Sequence, residues 1–168
     1  MTENSISEKE HEEFMRRAIE LGAKGGLQER SGGCFGAVIV DKSTKEIVGE
    51  GYNHVIANND PTWHGEIAAI REAGPKLGRP HLNGCVLYTS GQPCPMCMTA
   101  CMWARLDKVY YAATYEDVKI YGGFEDEDFM AELGKPEDQR RVPCFELLRE
   151  EAVEVWKKYK ELPDTVHY

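Results

Sequence analysis

An α/β fold, with helices layered on a mixed sheet, is predicted by two features of this 168-residue sequence. Short apolar runs of strand length alternate with segments whose apolar residues recur at helical spacing. Two of those runs are separated only by the polar stretch DKSTKE, a hairpin signature that implies one antiparallel pairing.

The elements follow in order. Ser7 and Glu10 stand at capping-box spacing. Phe14, Ala18 and Leu21 continue that helix, and Gly22, Gly25 and Gly26 are expected to end it. CFGAVIV (34–40) reads as a buried strand and IVGEGYN (47–53) as its hairpin partner. Asp60-Pro61-Thr62 signals a helix running to about Ala73, with GPKLGRPHLNG as the loop after it. CVLYT (85–89) is apolar on both faces, as a central strand is. Pro93 and Pro95 open a helix to about Arg105, and KVYYAA (108–113) is a further strand. EDVKIYGGFEDEDFMAEL is read as irregular or short helix, with EDED (125–128) a solvated acidic face. A long helix follows from about Phe145, with Leu148, Ala152, Val155, Trp156 and Tyr159 facing inward. No repeat, low-complexity stretch or linker interrupts the chain, so one domain is expected over 1–168.

Composition narrows the function. The net charge of −9, from 29 acidic and 20 basic residues, weighs against a nucleic-acid partner. No apolar run approaches the roughly 18 residues of a membrane span, so no membrane partner is expected. The polar, acidic N-terminus has no signal-peptide pattern, and a cytoplasmic location is expected. In that compartment the six cysteines are not expected to form a disulfide framework, and Cys94-x-x-Cys97 reads as metal-binding or redox.

The stretch DPTWHGEIAAI places His64 and Glu66 around Gly65 near a helix start. Side chains two apart project about 200° apart on a helix, so the pair cannot share a face. They can still converge on a point beyond the helix tip, where side chains lean and where Gly65 leaves room and can turn its N–H toward a ligand. Cys94 and Cys97 lie on one face at a second helix start, where the dipole favours thiolate. One imidazole and two thiolates supply three zinc ligands, and a catalytic site leaves the fourth position open. His54, His81, Cys34, Cys85 and Cys101 are candidates for closing it, although Cys101 reads as a core thiol. H-x-E followed by P-C-x-x-C is the zinc-deaminase signature.

These residues, together with FGAVIV (35–40), NDPTWHGEI (59–67), LYTSGQPCPMC (87–97), WAR (103–105), YAA (111–113) and the terminal Tyr168, make the chain resemble the cytidine deaminase superfamily. Within it the chain is similar to the bacterial guanine deaminases. The resemblance runs from about residue 10 to the C-terminus. It departs from the family pattern in Gly65 for the usual alanine, in Cys34 before Phe35, in Gln92 before the cysteine motif, and in one extra residue between Asp117 and Phe124.

The resemblance implies a three-layer α/β/α sandwich and one zinc per chain held by His64, Cys94 and Cys97. It implies hydrolytic deamination of a small aminated heterocycle, with Glu66 carrying protons and Asp117 assisting. Asn53 would read the ring edge, Phe35 and Trp103 would sandwich the ring, and Tyr168 would close over it. It also implies a homodimer whose C-terminal helix and tail (145–168) are exchanged between subunits. Guanine is the first substrate expected. Cytosine, isocytosine, guanosine and a triazine such as ammeline remain open, as do tRNA adenosine and a non-enzymatic module stapled by zinc.

Overall fold

The computed structural model describes residues 6–124 and 128–164. The chain divides into two compact units, Met1–Asp126 and Glu127–Tyr168. Among the described residues four strands lie in the first unit: β1 (Gly36–Asp41), β2 (Glu46–Tyr52), β3 (Cys85–Gly91) and β4 (Lys108–Ala113). They are ordered β2-β1-β3-β4, with β1 antiparallel to both neighbours and β3 parallel to β4. The mixed sheet expected from the sequence is the one observed, and the hairpin is its β1–β2 edge. The helices of this unit are α1 (Glu8–Ala23), α2 (Val55–Asn58), α3 (Gly65–Leu77), α4 (Pro95–Trp103) and α5 (Tyr115–Gly122).

Alternation along the strands sorts two cores. Val38, Val40, Val86 and Tyr88 pack with Ala18 and Leu21 of α1 on one face. Ala37, Ile39 and Leu87 pack with Ala69 and Ala73 of α3, and with Cys101 and Ala104 in and after α4, on the other. Helices therefore cover both faces of the sheet, as three layers require. Cys101 is a buried core thiol, as read from the sequence.

A bulge makes β2 serve both layers. Val40 pairs with Ile47 and Ile39 with Gly49, so Val48 is an extra residue between them. Ile47 packs on the α1 side, and the bulge then puts two successive residues, Val48 and Gly49, on the α3 side. Gly49 and Gly51 then face α3 and let its backbone lie directly on the strand. A Cβ on Gly49 would stand 2.3 Å from the Ala69 carbonyl oxygen, and one on Gly51 would stand 2.4 Å from that of Gly65. This contact fixes where the first turn of α3 sits.

Several boundaries differ from the sequence expectation. Gly22, Gly25 and Gly26 do not end the first helix. The coil continues as a π-helical turn over Lys24–Glu29, and Gly22 and Gly26 serve close approach instead, since a Cβ on either would strike Cys34. Asp60-Pro61-Thr62 forms a turn in which Asp60 Oδ1 accepts from the Thr62 N–H at 2.8 Å. α3 starts only at Gly65 and runs beyond Ala73 to Leu77, with Pro75 in its last turn. The stop is Gly78, in the left-handed region at φ 64°. The four-residue α2 was hidden in what read as connection.

The second unit contains α6 (Phe129–Gly134), a 3₁₀ turn and α7 (Arg149–Lys160). The inward face expected for α7 is not buried: Leu148, Val155 and Trp156 are more than 60% exposed. Phe129, Met130, Leu133, Phe145 and Leu147 of the same unit are also exposed and do not cover that face. Residues 125–127 of the acidic run, and Tyr168 with the rest of 165–168, lie outside the described residues.

Gly51→Ala is expected to lower stability by about 1–3 kcal/mol, the usual cost of overpacking. At this chain length each kcal/mol moves the midpoint by about 2–4 °C. Differential scanning calorimetry of the variant against the parent checks it.

Candidate metal centre

The N-cap position of a helix ordinarily carries Ser, Thr, Asp or Asn, whose side chain accepts from the first-turn N–H groups. α3 and α4 carry His64 and Cys94 there, and neither makes a side-chain cap. Both residues are extended, with ψ of 157° and 165°, so each side chain is thrown clear of its own helix. Cys97 follows one turn into α4, behind Pro95 at the first helical position.

The result is a compact donor set. His64 Nδ1 lies 3.6 Å from Cys94 Sγ and 3.4 Å from Cys97 Sγ. Ideal tetrahedral zinc, with Zn–S about 2.3 Å and Zn–N about 2.0–2.1 Å, separates sulfur from nitrogen by about 3.6 Å. The imidazole nitrogen therefore stands close to zinc-ligand spacing from both sulfurs. Among the described residues they form the one group of three or more His, Cys, Asp or Glu ligand atoms lying within 4.8 Å of one another. None of His54, His81, Cys34, Cys85 or Cys101 joins it.

The thiols divide their protonation unequally. The Cys94 thiol is lowered to about 4, chiefly by a hydrogen bond from Cys97 and then by His64, against the cost of burial. Cys97 is pushed far up because it donates that bond and is itself buried. The pair thus holds one proton between two sulfurs, and a dication binding both would displace it.

Glu66 stands in the first turn of α3 and is 4% exposed. Burial raises its carboxyl pKa; the Cys94 charge adds to that, while its own backbone N–H, His64 and Cys97 act the other way. It shares with His64 and Cys94 a cavity of about 380 Å³, within the range of small-molecule sites. Asn53 and Phe35 line the same cavity. Asn53 is 4% exposed, and its Oδ1 accepts from the Val55 N–H at 3.0 Å. That bond fixes the amide orientation and turns Nδ2 into the available donor.

Other expected residues are placed elsewhere. Gly65 is buried behind the cavity, where a Cβ would stand 2.9 Å from the Phe35 carbonyl oxygen. Trp103 is not brought to the site; it ends α4, at the far end from Cys94, and is 68% exposed. Asp117 does not line this cavity either, but a second one that shares Phe35 and Phe124 with it. Its Oδ2 accepts from the Thr114 N–H and hydroxyl at 2.9 and 2.6 Å, completing a capping box on α5. Those bonds hold its carboxyl below the usual range.

The sequence reading missed Phe124, Gln92, Ile56 and Pro61, which also line the cavity. Gln92 had a signal as a departure beside the cysteine motif. Its N–H donates to the Ala113 carbonyl and its Oε1 accepts from the Tyr115 N–H, while the Tyr115 hydroxyl donates to the Pro93 carbonyl. These bonds tie the turn before Cys94 to the start of α5. Phe124 had a signal in the extra residue that separates it from Asp117 relative to the family pattern.

With this geometry in hand, relatives are informative. The chain is 39% identical to guanine deaminase of Bacillus subtilis over 94% of its own length and 99% of that protein. The crystal structure of that enzyme superposes with a TM-score of 0.86, covering 94% of this chain and 98% of the other. A guanine deaminase structure from Nitrosomonas europaea matches at 26% identity and a TM-score of 0.61, covering 94% of this chain and 87% of that one. The tRNA-specific adenosine deaminase of Haemophilus influenzae is 36% identical over 61% of this chain and 58% of its own length. The cytidine and deoxycytidylate deaminase zinc-binding region matches residues 8–113, which hold all three metal donors and Glu66. The chain is therefore a member of the cytidine and deoxycytidylate deaminase zinc-binding family.

Proposed function

We propose that the chain hydrolyses guanine to xanthine and ammonia. The observation that carries this reading is the buried carboxylate of Glu66 in one base-sized cavity with a His/Cys/Cys donor set. The near full-length similarity to the Bacillus subtilis enzyme supports guanine as the ring.

His64, Cys94 and Cys97 would hold the zinc. Bound there, zinc acts as a Lewis acid and brings the pKa of a water to about 7. Glu66 removes a proton from the attacking water as its oxygen bonds to the ring carbon bearing the amino group. It passes that proton to the adjacent ring nitrogen. It then carries a second proton from the added oxygen to the amino group, the C–N bond breaks, and ammonia leaves. Asn53 donates from Nδ2 to an acceptor on the ring edge, and Phe35 supplies an apolar wall. The desolvation that raises the Glu66 pKa makes it a stronger base once ionised.

Asp117 supports catalysis in this reading by fixing the start of α5 and, through Gln92 and Tyr115, the turn before Cys94. A homodimer with exchanged C-terminal segments would bring Tyr168 over the ring and give the apolar face of α7 and Trp103 a partner. Six free thiols suit a cytoplasmic setting.

The purified protein is expected to contain about one zinc per chain by metal analysis and to release ammonia from guanine. Cys97→Ser should lose most of the metal. Glu66→Gln should keep it and lose about 10²–10⁴-fold in kcat. Asp117→Asn, which can still accept from Thr114, should retain activity within about threefold, whereas Asp117→Ala should lose both activity and thermal stability, by about 1 kcal/mol for the cap. Equal, large losses of kcat in both Asp117 variants, with stability unchanged, would instead place that carboxylate on the substrate. Sedimentation velocity should give a dimer.

A further inference from the structure

A second cavity, of about 270 Å³, lies beside the first. Its walls include Ser90, Ala113, Val118 and Tyr121. The described residues common to both cavities are Phe35 and Phe124. Their rings meet edge to face, 5.4 Å apart at 72°. The partition between the two spaces is thus a pair of phenyl rings.

The rings differ in freedom. Phe35 is wedged between two backbones: a Cβ on Gly33 would stand 2.6 Å from its ring, and one on Gly91 would stand 3.1 Å from it. Phe124 follows the C-cap of α5, where Gly123 has φ 69°, and remains 44% exposed. It reaches Phe35 because two other glycines leave space. A Cβ on Gly33 would be 3.0 Å from the tip of Phe124, and one on Gly122 would be 2.8 Å from its flank. One wall is fixed, and the other is a side chain laid over it from the end of a short helix.

We propose that Phe124 is a specificity-determining residue, whose ring closes the base cavity against the second one and so limits turnover to rings without a bulky substituent. The inference rests on the deaminase reading of the site and concerns which purines that site admits. A nucleoside carries a ribose beyond its base, and in this proposal the partition denies that group the second space. Removing the Phe124 ring joins the two spaces, whereas enlarging it keeps them apart.

The test compares ammonia release from guanine, 9-methylguanine and guanosine by the parent, Phe124→Ala, Phe124→Leu and Phe124→Trp. Discrimination by an apolar wall is worth about 10–200-fold. Phe124→Ala should therefore raise kcat/KM for guanosine at least about tenfold relative to guanine, Phe124→Leu by less, and Phe124→Trp should lower it. Calorimetric binding of guanosine and of guanine to Glu66→Gln, with and without Phe124→Ala, reads the same preference without turnover. A relative preference within about twofold of the parent, in both rate and binding, overturns the proposal. Should Phe124→Ala fail to fold by its melting curve, Phe124→Leu decides by the same ratio. A parent that releases no ammonia from guanine overturns the guanine reading, and the paired binding measurements still decide the role of Phe124.

Discussion

The rest of the site depends on two helix N-termini that give over their capping positions to metal donors. His64 and Cys94 stand where a hydroxyl or carboxylate would ordinarily accept from the first-turn N–H groups. The partial positive charge of those tips favours the anionic sulfurs. The forgone caps are thus offset by the bonds the same residues can make to a dication, which ties the order of both helix starts to metal occupancy. Glu66 follows from the same placement: a ligand at the cap of α3 leaves the carboxylate two residues on buried beside it but outside the donor set.

The sheet holds these tips in register. β1 is antiparallel to β3, and α3 rides on β2 by way of two glycines. The backbone of α3 therefore sits against strand backbone rather than on a layer of side chains that could shift. Gly65 continues this contact to the carbonyl of Phe35. The tip of α4 is held from its other side, through Gln92, Pro93 and Tyr115 at the start of α5. Neither anchor touches a metal donor directly, yet both set where those donors can be.

Much of this was legible in the sequence. The strands, their hairpin and the three donors could be read because each depends on local pattern: alternation, turn residues and the spacing of Cys94 and Cys97. The carboxylate of Glu66 was legible for the same reason. What escaped depends on contacts remote in sequence. Gly22 and Gly26 look like helix breakers until the Cys34 segment is seen packed on them. Asp117 reads as a free carboxylate until its bonds to Thr114 are known. Trp103 lies six residues past Cys97, at the wrong end of α4 for this cavity. The extra residue before Phe124 marked the segment, but a phenylalanine after two glycines says nothing of where its ring lies.

The bulge in β2 has a consequence for how this architecture can vary. Strand faces alternate with a period of two, so a surplus residue taken up without a bulge would invert the orientation of everything beyond it. Upstream of Val48 the strand offers Ile47 to α1, and downstream it offers bare backbone to α3. Were the same sequence to run on from Ile47 as a regular strand with no bulge, Glu50 and Tyr52 would turn into the space that α3 occupies. The bulge is therefore coupled to the position of an imidazole a dozen residues later, and a change of one residue beyond it is constrained by parity as much as by sterics.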